Sequence, residues 1–540
     1  MTRSDTYDAV VVGAGPNGLV AANVLADAGW TVLVLEANAE PGGAVRTAEV
    51  TAPGFRNDLF SAFYPLGAAS PVLQGLDLDE YGLHWVHAPA VVANPRPDAP
   101  AAVLYRDVER TAAALDLDAP GDGAAWHGLY ERWTDIGGPF LASLLSPFPP
   151  VRGAARLAAR LGPRGLLPFA RFAMLPVRRL IDEELDGEAG ALLLAGNALH
   201  ADLTPESPPS ALLGWLLAML GHDVGFPVPE GGADRITAAL VARLGARGGE
   251  LRCSAPVDKV VLERGRAVGV EVGGVPVRAR RAVLAATDAG KLYRDLVGFD
   301  ALPAQLVDRV ERVQHGSGTV KVDWALSSPI PWTDTTVAPA GTVHITDSVD
   351  ELSVTAAEIA RDLVPARPFL LIGQMTTSDP TRSPAGTESA WAYTHLPARP
   401  TGDAGGTLDA GDGRAVLDGM VERMEARIET HAPGFRDRVL ARHVQGPADL
   451  ERHNANLVDG DIGGGTSQLH QQLVFRPVSG LGRAETPVRG LFLASASAHP
   501  GGAVHGACGA NAARAALAHH RARRVLVAVG AVGAAVAISR

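Results

Sequence analysis

The sequence predicts an α/β protein: a parallel sheet assembled from three separated stretches of chain, with an α+β domain interleaved between them. Three observations carry this. The first forty-seven residues read as strand, glycine-rich turn, helix, strand and acid. A helix followed by several short apolar strands returns near residues 225–300. A last apolar strand, a turn of small residues and a helix occupy residues 488–520. The implied division is 1–75, 225–300 and 478–520 for the nucleotide domain, 76–224 and 301–477 for the substrate domain, and 521–540 for a basic then apolar tail.

Residues 7–12 form a short apolar run, as a buried parallel strand requires. The run breaks at Gly13-Ala14-Gly15-Pro16-Asn17-Gly18, and residues 19–28 take up a helical pattern that Gly29 stops. A second run over 31–35 ends in Glu36. Gly13 permits the tight turn, Gly15 lets backbone approach a pyrophosphate, and Gly18 lets helix and strand pack closely. The helix N-terminus offers free N–H groups and a positive dipole end to phosphates. Glu36 stands where a carboxylate accepts hydrogen bonds from a ribose diol. The unit is Rossmann-like. An ordinary βαβ turn with an exposed Glu36 is the plainer alternative.

Residues 76–229 change character. Residues 81–93 read as strand. Residues 140–180 hold seven arginines and no acid, in a chain of net charge −11. Arg152, Arg156, Arg160 and Arg164 recur every four residues, along one face of a helix, beside Phe148, Leu166, Leu167, Phe169, Phe172 and Leu175. A basic amphipathic segment of this kind suits an anionic membrane surface, and a solvated arginine face over an ordinary core is the alternative. Pro163 and Pro168 are expected to break a long helix. Residues 235–247 then read as helix and 250–254 as strand. Residues 257–262, 267–272 and 277–286 read as a small sheet. Strands follow near 319–325 and 369–376, and the strand over 488–493 leads into Ala494-Ser495-Ala496-Ser497-Ala498-His499-Pro500-Gly501-Gly502-Ala503-Val504-His505-Gly506. A helix over 508–520 completes that unit. The tail over 525–538 is apolar, about 21 Å long as helix, and so shorter than a hydrocarbon core of about 30 Å.

Pro41-Gly42-Gly43-Ala44-Val45-Arg46-Thr47, which follows Glu36 directly, resembles the second signature of flavoproteins in the amine oxidase and carotenoid desaturase group. The resemblance implies that Gly42, Gly43 and Arg46 close over the pyrophosphate of FAD, which makes FAD rather than NAD the expected cofactor. It further implies that Val257 brings backbone groups to the adenine. The 494–506 turn, including Ala494, Gly501, Gly502 and Val504, then faces the ribityl and pyrophosphate side. That turn is similar to the His-Pro-Gly-Gly-like stretch of phytoene desaturases, with Ala503 and His505 as departures. It lacks the aspartate that flavin hydroxylases usually carry there. Asp449-Leu450-Glu451-Arg452, Gly463-Gly464-Gly465 and the stretch from Gln471 to Arg476-Pro477 resemble the carotenoid ketolase and pyridine nucleotide-disulphide oxidoreductase domain-containing protein 2 branch.

With 540 residues and 47% hydrophobic content the chain suits a globular enzyme of two intertwined domains, and its negative charge gives nucleic acid no reason to bind. Cys253 and Cys508 are the two cysteines, too far apart for a CxxC redox pair. They fit a reducing, cytoplasmic setting, peripheral to the inner face of a membrane if the arginine segment or the tail binds there. The N-terminus reads without a signal peptide. No metal-ligand cluster, Ser-His-Asp set or P-loop has convincing spacing.

Lysine occurs only at 259, 291 and 321. Lys321, in Thr319-Val320-Lys321-Val322-Asp323-Trp324, points away from both valines if the segment is a strand. It resembles the amine oxidase lysine that holds a water near flavin N5, and is the candidate catalytic residue; a solvent-facing strand lysine is the alternative. His499 and His505 are expected to position backbone, and Cys508 to be core. The expected activity is FAD-dependent oxidation of an extended apolar molecule, a carotenoid or other isoprenoid, by desaturation, oxidation or redox-linked isomerisation. The alternatives are a flavin amine oxidase and an FAD-binding assembly protein without turnover.

Overall fold

The computed structural model describes residues 6–538, and the side chains of residues 6–523. The nucleotide unit opens with β1 (Thr6–Val12), α1 (Pro16–Asp27) and β2 (Val32–Leu35). In β1 all but Thr6 are buried, because the strand has elements on both faces. Within the long excursion that follows, β3 (Ala90–Asn94) and β4 (Ala102–Leu104) precede a helical layer. That layer includes α2 (Asp122–Leu144), α3 (Val151–Phe172), α4 (Glu188–His200) and α5 (Ser210–Asp223). The chain returns through α6 (Asp234–Ala246), β5 (Glu250–Arg252), β6 (Lys259–Glu263), β7 (Arg266–Val272) and β8 (Val275–Ala285).

The second excursion contributes β9 (Gly318–Leu326), β10 (Ala340–Ile345), β11 (Leu370–Gln374) and β12 (Glu388–Leu396). It ends with α7 (Gly413–His431) and β13 (Val439–Gln445). The last pass supplies β14 (Leu491–Leu493) and α8 (Ala507–Ile538).

Two seven-stranded sheets organise these elements. The first runs β6-β7-β8-β1-β2-β5, with β14 pairing β8. The pairings of β1 with β8 and β2, of β2 with β5 and of β8 with β14 are parallel. The helices α1, α6 and α8 cover one face, where Leu19, Leu25, Ile236, Leu240 and Ala513 pack on Val11, Val34 and Phe492. Leu292, Tyr293, Leu306 and Val310 cover the other, against Val10, Leu33 and Val283.

The second sheet runs β13-β9-β12-β11-β10-β3-β4. Its Val320, Val322 and Trp324 pack on Met420, Met424 and Ile428 of α7. The opposite face, toward the helical layer and the first sheet, carries Lys321 and Asp323 of β9 with their register partners Tyr393 and Trp391 of β12.

Several local expectations are corrected. Residues 81–93 do not form one strand: Gly82 adopts φ +89°, Pro89 donates no N–H, and only β3 and a two-residue bridge at Trp85–Val86 remain extended. The strands over 257–286 are no separate small sheet; β6 and β7 extend the nucleotide sheet antiparallel from β8. The arginine helix breaks at Gly162 (φ +61°), directly before Pro163 as expected, but not at Pro168, which lies within the second part of α3. The helix expected over 508–520 runs on to Ile538. The membrane role foreseen for the apolar tail rests on side chains outside the described residues. Among the described residues no helix is long and apolar enough to cross a membrane.

Candidate functional site: a glycine cradle facing a buried lysine

Four loops meet above the carboxyl ends of β1, β2, β8 and β14, where open α/β sheets bind ligands. Gly13 takes φ +96° and donates its N–H to Leu35 O at 2.7 Å. A Cβ on Gly18 would run into the carbonyl oxygen of Gly13, so only glycine lets α1 start so close to the strand end. Gly15 and Gly43 face each other: a Cβ on Gly43, at φ +56°, would stand 3.1 Å from Gly15 Cα. The start of α1 has no side-chain cap, which leaves its first N–H groups for a ligand. Gly42 donates to Ala14 O at 2.9 Å and ties the second glycine loop to the first.

Glu36 is buried and is tied to this turn. Its Oε2 accepts the Ala14 N–H at 2.8 Å, and Oε1 accepts from the Asn38 backbone and side-chain amides at 2.9 and 3.1 Å. Val257 is half-buried just after Ser254 and Ala255, whose N–H groups bond Asn38 O and Glu36 O. Arg46 donates from Nη2 to His453 O at 3.0 Å and lies 5.1 Å from the Phe60 ring centre. Its Nε is buried without a partner. Burial lowers the Arg46 pKa from its ordinary value, while Glu36 and Glu40 oppose that.

The 494–506 turn closes the far side. Ala494 N–H bonds Ala285 O at 2.7 Å, and Gly501 takes φ +114°. A Cβ on Gly502 would approach Gly463 O to 2.8 Å, and Val504 O lies 2.9 Å from the Cβ position of Gly67. Arg476, wholly buried, donates to the carbonyls of Gly463, Gly464 and Ala496 at 3.0 Å and of Thr466 at 3.2 Å. It thereby fastens the 463–466 loop to the turn. Asp461 holds the same loop from the other side, accepting the N–H of Gly463 and Gly465 at 2.7 and 2.6 Å. His505 Nδ1 accepts the Ala507 N–H at 3.0 Å, and burial pushes both His499 and His505 down to about 4. Cys508 is core, its thiol pushed up to about 11 by burial.

Lys321 is 3% exposed. Its ammonium pairs with Asp323 and lies 5.6 Å from the Trp391 ring centre. Burial raises the Asp323 carboxyl above its ordinary value despite Lys321. Gln445, the register partner of Lys321 on β13, donates to Leu59 O at 2.9 Å and stands 3.0 Å from His453 Nδ1. His453 in turn accepts from Arg46, so one chain of contacts joins the lysine wall to the glycine cradle.

Asp323, Gln445, His453 and Arg476 escaped the sequence reading as site residues. The i, i+2 spacing of Lys321 and Asp323 would have placed both on one strand face. Gln445 and His453 reach the site through contacts with segments remote in the chain, and Arg476 through carbonyls 10 to 20 residues away.

A family model described as NAD(P)-binding Rossmann-like domain matches residues 11–93. Pyridine nucleotide-disulfide oxidoreductase domain-containing protein 2 of Mus musculus is 30% identical, over 94% of this chain and 92% of that protein. A limonene dehydrogenase polypeptide of Castellaniella defragrans is 23% identical, over 95% of each. The neurosporene-forming phytoene desaturase of Cereibacter sphaeroides is 24% identical, over 96% of each. Among solved structures, an oxidoreductase from Methanosarcina mazei shares the fold with a TM-score of 0.59 at 18% identity, over 94% of this chain and 99% of that one. With 30% identity sustained over nearly the whole of both proteins, the chain belongs to the oxidoreductase family of pyridine nucleotide-disulfide oxidoreductase domain-containing protein 2.

Proposed function

We propose that the chain is an FAD-dependent oxidoreductase acting on an extended apolar substrate, a carotenoid or other isoprenoid. The observation that carries the cofactor is Arg46 Nε, buried and unpartnered beside a cradle in which Gly15 and Gly43 face each other without side chains between them. A buried donor of that kind costs about 1–3 kcal/mol unless a ligand satisfies it, and an anionic pyrophosphate does so. Gly13, Gly15, Gly18, Gly42, Gly43 and Arg46 would hold the pyrophosphate, Glu36 the adenosine ribose, Val257 the adenine, and Ala494, Gly501, Gly502 and Val504 the flavin side. When bound, the flavin supplies a two-electron hydride acceptor.

The substrate class is supported by relatives named for limonene and phytoene and by the wall opposite the cradle. There Trp391 and Tyr393 stack at 6.0 Å, and Phe63 lies 6.1 Å from Trp391. Lys321 would hold a water or offset negative charge beside the flavin. Arg152, Arg156, Arg160 and Arg164 are exposed along α3 beside exposed Leu166, Leu167 and Met174. That combination favours contact with an anionic bilayer, the source of such a substrate.

Anaerobic addition of phytoene in detergent micelles to the flavin-loaded protein tests this reading. Bleaching of the flavin absorbance supports it, and an unchanged spectrum removes the substrate class. A flavin amine oxidase is the second reading, favoured by the stacked Trp391–Tyr393 pair and the Asp202 carboxylate near the same wall. Bleaching by putrescine and not by phytoene would select it.

A further inference from the structure

Along β12 every residue is buried except Tyr393 and His395, which lie side by side on the face that packs on the helical layer, their rings 5.5 Å apart. His395 Nε2 stands 3.0 Å from Asp202 Oδ1, and its Nδ1 lies 3.4 Å from Thr319 Oγ1 of the neighbouring β9. Asp202 follows the C-terminal end of α4 in the left-handed region, φ +59°, a conformation that aspartate tolerates better than most side chains. Its carboxylate is a quarter exposed in a region where the adjoining Leu203 is fully covered.

The second carboxylate oxygen faces the cradle side: a Cβ on Gly463 would stand 3.5 Å from Asp202 Oδ2. Gly463 itself touches Gly502, in the turn assigned above to the flavin. One loop therefore separates this carboxylate from the 494–506 turn, and one oxygen of it is left for a guest. Beside it, His200 keeps a buried Nδ1 without a partner.

We propose that Asp202 takes up the proton that the substrate loses when it is oxidised, and that His395 is the residue that positions it. The inference rests on the oxidoreductase reading above. In a desaturation, one C–H bond breaks and its hydrogen leaves with both electrons, as hydride, to the flavin, which is the oxidant and is reduced by two electrons. The neighbouring carbon then loses a proton to Asp202 Oδ2, and the electron pair of that C–H bond becomes the new C=C bond. Positive charge developing where the hydride departs makes the neighbouring C–H acidic enough for a carboxylate. The same carboxylate stabilises that charge in surroundings poor in water. The ion pair with His395 holds the other oxygen at 3.0 Å without hydrogen-bond alignment, and leaves Oδ2 on the side of the loop.

Other ionisable groups around the pair are His200 on α4, Tyr393 on the same strand, Lys321 on β9, and Asp461 with His315 by the 463–466 loop. Burial opposes protonation of His395, but Asp202, then the Gly318 backbone and then Asp461 outweigh it and raise its pKa above the ordinary histidine value.

The test uses the full-length, flavin-loaded protein. Its first arm needs no substrate: histidine is labelled with 15N, and the His395 signals are assigned by their loss in His395→Gln. We expect His395 to titrate above the ordinary value, to fall back in Asp202→Asn, and to shift when dithionite reduces the flavin. In the second arm, rapid mixing with phytoene should show bleaching slowed about 10²-fold or more in Asp202→Asn, the range of a lost proton acceptor, with KM changed less than threefold. His395→Gln should displace the pH profile of bleaching while leaving KM in place. A His395 titration indifferent to both Asp202→Asn and flavin reduction overturns the proposal, as does unimpaired bleaching by Asp202→Asn. Protein that binds no flavin sinks the oxidoreductase reading and this inference together. Flavin-loaded protein that phytoene does not bleach sinks only the substrate class, and the first arm then decides the role of the pair.

Discussion

Replacing Lys321 by methionine removes the ammonium that faces Asp323 and leaves a wholly buried carboxylate whose Oδ2 has no partner. Breaking one side of a buried pair costs about 3–5 kcal/mol, because the remaining charge has neither water nor counterion. The pH dependence has a definite sign. Burial already raises the Asp323 carboxyl, and without Lys321 it rises further. Below the raised value the variant carries a neutral acid and loses little; above it the full loss appears. The destabilisation therefore grows as pH rises above the ordinary aspartate range, and comparing pH 5 with pH 8 reads its direction. Removing both charges, as Lys321→Met with Asp323→Leu, should bring stability back to within about 1–2 kcal/mol of wild type. Urea unfolding followed by tryptophan fluorescence at the two pH values measures all three proteins. A single variant as stable as wild type at pH 8, or a loss that the double variant does not relieve, would refute the buried pair. The double variant also isolates the chemistry: with flavin retained, flavin reduction or reoxidation should slow well beyond twofold, a change of about 0.4 kcal/mol. Both half-reactions within twofold of wild type would remove Lys321 from the mechanism.

Gly43→Val places a side chain against Gly15 at a positive φ, so the purified variant should keep its circular dichroism yet carry less than about a tenth of the wild-type flavin. Burial pushes the Glu388 carboxyl up to about 7, so the stability it contributes is complete at acid pH and lost as pH climbs through that value. Thermal melting from pH 5 to 8 should show that decline, and Glu388→Gln should flatten it by about 2–3 kcal/mol. Changing Arg152, Arg156 and Arg160 together to Glu should reduce sedimentation with anionic liposomes, most strongly at low salt. Equal binding by wild type and triple variant would remove the membrane contact.

The parts of the fold that follow from local chemistry were legible in the sequence. Gly13 and Gly18 permit one turn geometry, the alternating Val320-Lys321-Val322 divides a strand into two faces, and the apolar run before Gly13 admits a strand covered on both sides. The lysine is accordingly buried and does not face solvent. What was not legible depends on partners distant in sequence. Whether 257–286 made a sheet of its own turned on the pairing of β8 with β1, which periodicity does not encode. Asp202 and His395 meet across almost two hundred residues, and Arg476 reaches Ala496 across an intervening strand and turn. In the arginine helix the break before Pro163 was legible, whereas Pro168 stayed helical in the second half.

The cradle is most directly tested by releasing whatever it holds. Protein purified under native conditions is denatured by acid, and the supernatant is separated by liquid chromatography against FAD, FMN and NAD(P) standards. A yellow supernatant with close to one FAD per chain is the expected result. A colourless supernatant, together with a melting temperature that added FAD leaves unchanged, or NAD(P) in place of FAD, would contradict it.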